Sequence, residues 1–436
     1  MSELEGRARL VRGFFNLRRG EVGPVLAASC FFFFALTALM LLRPVRDAIG
    51  MQRGIEAIRW LFIGTAALTL AINPVFGLLV SRLRRFHFVC VTYGFFVLSL
   101  TGFWMLMTFA PGAVGERSGQ VFYVWFSVFN LFVTMVFWSL MADRFTSDQG
   151  KRLFALISIG GTLGAIFGPW LTAQLAEPLG TPNLLLVAGA FLLLALGAAG
   201  LLVYYAPDAP DHAKPTFNRG VEPIGGTAWA GLREVASSPY LMGIAGYTLL
   251  MSIIATLIYF TRLQMVAALG EDMNMRAAVL GNIDMWTQLA VLALQLTLTG
   301  KIIQRLGLGV ALAILPVATA IGFVGLMIYG SFAVLVGLEA LNRAAQRGIT
   351  RPAREALFTV ISREEKYKAK AFIDTFIYRT GDVLGAQAEG ALVRLGLTVG
   401  GLVTVVVPIT LIWATLAIWL ARSQTRYALR PDDNIS

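Results

Sequence analysis

Long apolar runs recur along the chain, each bounded by a short polar interval. They fall at 22–42, 60–80, 87–109, 119–142, 153–176 and 184–206, then at 240–261, 277–299, 307–329, 331–358, 371–393 and 399–421. Each is about the 20 residues that a helix needs to cross a bilayer. About twelve membrane helices in two sets of six are therefore expected. The first half is 1–206, preceded by a basic amphipathic stretch over 3–20 that reads as a surface helix. The Pro-rich, charged stretch 207–239 reads as a cytoplasmic linker, and 240–436 forms the second half.

Within this pattern one apolar run carries an ionic stripe. Glu339, Arg343, Arg347, Arg351 and Glu355 recur every fourth residue, with Arg354 beside them. On an α-helix each such step drifts by about 40°, so the five line one slowly winding face about 24 Å long. Arginine in a membrane segment is expensive and is expected on a water-filled path or beside an anion. Pro352 removes a backbone donor next to Arg351, so a break is expected there that lets Arg351 and Arg354 swing. Other charges join the stripe as candidates. Arg43 and Arg46 close the first run in L-R-P-V-R-D, with Asp47 as a local counter-ion. Asp284 is a lone acid in the eighth run, read as a proton site or a partner of the stripe, and Asp374 and Asp382 lie in the eleventh. At the end of the fourth run, Asp143, Lys151 and Arg152 suit a gating latch. The candidate anion-binding set is thus Arg43, Arg46, Arg343, Arg347, Arg351 and Arg354. The candidate proton-coupling or ion-pair set is Asp284, Glu339, Glu355, Asp374 and Asp382.

Composition excludes a soluble domain. Only 14% of the residues are charged, 57% are hydrophobic, and the mean hydropathy is +0.71. The net charge of +11 would suit a nucleic-acid binder, but the basic residues alternate between connections, which is the signature of membrane topology. Every lysine falls on the side that holds the N-terminus, so both termini are expected in the cytoplasm. Arg53, Arg59, Arg117, Arg262, Arg276 and Arg394 are read as charges of the outer connections. Cys30 and Cys90 lie inside apolar runs and read as buried small side chains. The fifth run carries G-G-T-L-G-A-I-F-G-P, whose small-xxx-small spacing lets helices approach closely. There is no Walker-type G-x-x-x-x-G-K-[ST], and nothing calls for a cofactor, a metal or an enzymatic reaction. The expected partners are a lipid bilayer and a small anionic solute, not nucleic acid, and a monomer is expected.

Two connections repeat weakly. G-L-L-V-S-R-L-R-R at 77–85 and G-K-I-I-Q-R-L-G at 300–307 sit at equivalent places in the halves. They resemble the loop signature of the major facilitator superfamily, whose two six-helix halves are a parallel repeat. Three longer blocks resemble the nucleotide transporter (ATP/ADP translocase) family. L-R-P-V-R-D is similar to its L-R-x-x-K-D, with Arg46 at the lysine. F-W-S-L-M-A-D…K-R-L-F is similar to its F-W-x-x-A-N…A-K-R-F. P-A-R-E-A-L-F…E-E-K-Y-K-A-K-A-F-I-D is similar to its P-x-K-E-x-A-Y…D-E-x-K-x-K-G-K-A-x-I-D, with Arg354 and Glu355 at its K-E. That family has an acid beside a tryptophan of the fourth span, where this chain has none around Trp125. It has a lysine where this chain has Asp382.

The resemblance implies an all-α bundle of the major facilitator type in an inner membrane. It also implies exchange of ATP for ADP, or proton-coupled nucleotide uptake. Two other readings stay open: proton-coupled transport of another solute, such as a siderophore or drug-like ion, and a non-transporting scaffold or lipid-handling protein.

Overall fold

The structure is a computed structural model that describes residues 18, 20–82, 85–110, 112–206, 228–397 and 400–428. Most of the amphipathic stretch 3–20, the linker over 207–227, and the side chains of the two repeated connections lie outside the described residues.

All regular structure among the described residues is helical. The first set is α1 (Val22–Gly50), α2 (Ile55–Arg82), α3 (Arg85–Phe109), α4 (Ala113–Arg144), α5 (Ser147–Leu179) and α6 (Leu184–Tyr205). A short helix α7 (Ala228–Ser237) precedes α8 (Pro239–Ala267). The helical run Met273–Tyr329 is two rods, α9 and α10, meeting at Gly307, whose φ of 74° breaks the helix where only glycine is unstrained. The next rod is α11 (Phe332–Ala345), a π turn (Gln346–Thr350) and α12 (Arg351–Leu357). After a 3₁₀ turn comes α13 (Arg363–Phe372), a second π turn (Ile373–Ile377) and α14 (Tyr378–Arg394), and α15 (Val403–Ala428) ends the described chain.

Ten helices are long and apolar enough to cross a membrane. The two remaining long rods are those with π turns. They fail on charge, not on length, because the ionic residues of 339–382 interrupt their apolar windows.

The chain divides into two compact units. One holds Met1–Arg53, Ala71–Glu222 and Glu271–Met285; the other holds Gly54–Leu70, Pro223–Gly270 and Trp286–Ser436. In the first, α1 is the central rod and packs on α4, α5 and α6. Its contact with α5 is built on missing side chains. A Cβ at Gly168 would lie 2.6 Å from the Thr37 carbonyl oxygen, and one at Gly160 or Gly164 would overlap the carbonyls of Ser29 and Phe33. Small residues permit this backbone-to-backbone approach, which is how helices associate without a water-driven hydrophobic term. In the second unit α8 is central and packs on α14 and α15. A Cβ at Gly385 would meet the Ile253 carbonyl at 2.9 Å.

Several expectations need correction. Arg59, Arg262 and Arg276 are not charges of connecting loops. They are buried in α2, α8 and α9, which extend beyond their apolar runs. Cys30 and Cys90 are exposed, not buried. An apolar side chain on a membrane helix can face lipid as readily as protein, so apolar sequence does not assign burial. Pro352 causes no break. The π turn before it absorbs the missing donor and the clash with the preceding turn, and the Arg351 N–H bonds to the Gln346 carbonyl five residues back.

Candidate functional site

In the first unit Arg43, Arg46, Asp47 and Asp284 are all engaged. Arg43 Nε lies 3.8 Å from Asp284 Oδ2, and Asp284 is only 1% exposed. The acid read as a proton site or a partner of the stripe is buried against α1. Arg46 donates through Nε to Asp47 Oδ1 at 2.9 Å and through Nη2 to the same oxygen. Its guanidinium also stacks over the Tyr123 and Phe126 rings, 4.6 and 5.1 Å from their centres. Behind those rings Trp125 is wedged among Phe96, Phe103, Phe122 and Phe129.

The α11–α12 rod carries the stripe, and its two ends behave differently from its middle. On α11, Glu339 takes Arg343 Nη2 at 2.6 Å and faces Arg262 Nε of α8 at 3.6 Å. Arg262 is fully buried and lies over the Tyr259 ring. On α12, Arg354 Nη2 reaches Asp374 Oδ1 at 2.9 Å, and Glu355 accepts from Lys370 Nζ at 2.6 Å. In the middle, Arg347 and Arg351 are exposed. Among the described residues Arg351 makes no ion pair. The π turn also reshapes the stripe. An α-turn holds 3.6 residues, so a four-residue step overshoots; a turn closed by a bond five residues back holds more, so the step from Arg347 to Arg351 falls short and takes back part of the drift.

The polar string that carries most of the family resemblance thus has a definite local job. R-E of α12 and K-A-F-I-D of α13 and its π turn meet as two adjacent ion pairs of opposite sense, Arg354–Asp374 and Glu355–Lys370, which clip two consecutive rods into a hairpin. Further along, Asp382 accepts from Ser252 Oγ at 2.6 Å and pairs with Arg379 Nη1 at 3.0 Å. The acid at the family's lysine position is therefore neutralised by a neighbour one turn earlier.

Three further charged positions matter: Arg59 and Arg276, read from sequence as loop charges, and Glu21, which was not singled out. Arg59 Nε pairs with buried Glu389 Oε2 at 2.7 Å, and Gln264 also donates to that carboxylate. Arg276 donates to the Met51 carbonyl at 3.3 Å. Glu21, just ahead of α1, receives Arg152 Nη2 at 2.8 Å. Burial opposes ionisation of Glu21, but Arg152, the Arg18 N–H and the Gln149 amide outweigh it and hold the carboxyl below its usual range. Arg152 of the predicted latch thus closes onto α1 of its own unit. Lys151 is exposed, and Asp143 is half-buried near the end of α4.

No protein-family model matches the chain. ADP,ATP carrier protein 1 of Chlamydia pneumoniae is 23% identical over 467 aligned residues, covering 92% of this chain and 90% of that protein. Its namesake from Chlamydia trachomatis is 24% identical over 341 residues, covering 69% and 63%. Among solved structures, a variant of the nucleoside transporter NupG superposes with a TM-score of 0.61 at 14% identity, covering 93% of this chain and 99% of that one. The POT family transporter PepTSo gives 0.60 at 12%, covering 93% and 97%. A bacterial homologue of the lysosomal transporter Spinster gives 0.59 at 14%, covering 95% and 100%. The fold is that of the major facilitator transporters.

Proposed function

We propose, from the premise that this chain is a distant full-length relative of the ADP,ATP carrier proteins with the major facilitator fold, that it carries an organic anion by alternating access. The chain is a multi-pass transporter. The anion we assign is a nucleotide or another phosphorylated metabolite, and Arg347 and Arg351 are its main contacts. Arg343 and Arg354 contribute only when the ligand displaces their present partners. The observation that carries this reading is exposed Arg351, which makes no ion pair among the described residues, with Arg347 exposed one turn before it. A guanidinium fork in a poorly hydrated place matches phosphate or carboxylate oxygens in pairs.

Exchange of anions fits better than proton coupling. Each candidate proton site has a cation beside it: Asp284 has Arg43, Glu339 has Arg343, Glu355 has Lys370, Asp374 has Arg354 and Asp382 has Arg379. Each of these acids is thus held in an ion pair within the protein, which supports a structural role for it.

The test is binding to purified protein, read by thermal shift against nucleotides, phosphorylated metabolites and unrelated anions. Arg351→Gln should weaken the responding ligand by about tenfold or more, since a charge-assisted bond contributes about 1.5–3 kcal/mol, with ligand-free melting nearly unchanged. Arg351→Lys should recover part of the loss. A lower ligand-free melting point, with no ligand whose affinity depends on Arg351, would show a scaffold instead. We also assign both termini to the cytoplasm. A cysteine placed at Gly112 should react with an impermeant thiol reagent from outside the cell, and one at Gly220 should not.

A further inference from the structure

The π turn Gln346–Thr350 keeps the α11–α12 rod continuous through Pro352, and together they leave a carbonyl over. Each carbonyl inside a helix is met by an amide about one turn later. At the near end of this stretch the Arg351 N–H bonds to the Gln346 carbonyl, five residues back. At the far end Thr350 is the N-cap of α12, so its carbonyl takes the Arg354 N–H. Three carbonyls lie between, those of Arg347, Gly348 and Ile349. The amides left for them belong to residues 352 and 353, and residue 352 is proline. Only Ala353 has an N–H to give, and its α-helical partner, four residues back, is Ile349. No other main-chain or side-chain donor among the described residues meets the Gly348 carbonyl. Gly348 is buried, so an unmet carbonyl there is unfavourable unless something else bonds to it. A helix carbonyl points along the axis toward the residue four places on, here Pro352. Pro352 and Arg351 are both exposed, and Arg347 is exposed one turn earlier. The carbonyl therefore opens toward the side of the rod that carries the proposed anion contacts. At membrane depth such main chain is tolerated where it lines a water-filled cavity.

We infer that the Gly348 carbonyl is an acceptor subsite beside Arg351, and that it takes a hydroxyl that the carried anion bears a few bonds from its charged group. This rests on the reading of Arg347 and Arg351 as anion contacts. A guanidinium group only donates, so it holds a phosphate without telling one phosphate ester from another. A carbonyl only accepts, so it reads the rest of the molecule. An alkali cation is the other guest of a free carbonyl, but the two exposed arginines repel it. A ligand without a hydroxyl displaces water from the carbonyl and puts no donor in its place, which weakens binding. The subsite thus favours phosphate esters of sugars or glycerol over simple alkyl phosphates.

The experiment measures binding to the purified full-length protein in matched pairs: ADP against 2′,3′-dideoxy-ADP, and glycerol 3-phosphate against propyl phosphate. In each pair that responds, wild type should bind the hydroxylated member about two- to tenfold more tightly, the size of one net hydrogen bond. Pro352→Ala supplies the missing amide, which should close on the Gly348 carbonyl and bring that ratio to about one. Pro352→Ser restores the same amide and serves where the alanine variant does not fold. Equal affinities within the pairs in wild type, with binding still dependent on Arg351, would overturn the acceptor subsite and leave the anion reading intact. A preference that persists in the Pro352 variants would overturn it too, since the hydroxyl would then be read elsewhere. If no phosphate binds in an Arg351-dependent way, the anion reading itself fails and this one falls with it.

Discussion

The two compact units solve the same problem, joining helices in a medium that gives no hydrophobic drive between them, with different emphasis, although the first also pairs Arg43 with Asp284 and the second also brings Gly381 and Gly385 against α8. The first removes side chains. Gly160, Gly164 and Gly168 bring α5 onto the backbone of α1, and Thr172 adds a hydroxyl bond to the Leu41 carbonyl at 2.8 Å. The second keeps long charged side chains and pairs them across helices: Arg59 with Glu389, Arg262 with Glu339, Arg354 with Asp374. Backbone contact fixes distance and angle without a charge to satisfy. Ion pairs fix partners and can be exchanged for another anion. We place the proposed anion site in the second unit on that ground, since it has exposed arginines among exchangeable bonds.

The comparison can be broken or sharpened by substitution, and the largest effect is expected in the second unit. Glu389→Gln leaves Arg59 buried without its carboxylate and should cost about 3–5 kcal/mol, while replacing both residues by leucine should cost much less. Thermal unfolding of the single and double variants measures this. If the double variant is as damaged as the single, pairing is not what joins α2 to α14. Gly164→Val should come next, overfilling the α1–α5 contact by about 1–3 kcal/mol. That loss should not vary with salt or pH, since no charge takes part. The smallest effect concerns Glu21. Its carboxyl titrates below the usual range in the folded protein, so its bond to Arg152 adds stability above the ordinary glutamate value of about 4.3. That contribution fades as pH falls through the lower folded-state value. Glu21→Gln should therefore lower the melting point at neutral pH and match wild type in acid. A constant difference at all pH values would make the contact one of shape, not charge.

How much of this could be read from sequence depends on the kind of residue. The rods were legible because apolar runs of spanning length leave few alternatives. Even α11–α12 was placed within a residue of its ends, while the rod of α13 and α14 begins at Arg363, eight residues before the expected run at 371. The stripe was legible as an anomaly, but the partners of its arginines were not, since Glu339 faces Arg262 across 77 positions of chain. Arg262 was misassigned because the span was ended at the last long apolar stretch. Leu263, Met265 and Val266 immediately after it were the available sign that the helix continues. Asp284 was noticed as a lone acid, yet its partner lies in the first helix. The π turns left no trace beyond Pro352, because wide turns answer to packing on both sides and not to local propensity.

The segment list of the two units has a consequence for how the protein is made. The first unit needs Glu271–Met285, which follows the linker, and the second needs Gly54–Leu70, which is among the first stretches synthesised. Arg43 leaves the ribosome long before Asp284, and Arg59 long before Glu389. Neither of these two pairs can close until most of the chain has been inserted. A protein usually thought of as two successive halves is here completed late and together. The first half expressed alone would hold buried Arg59 without its acid, and the second would hold buried Glu389 and Asp284 without their arginines.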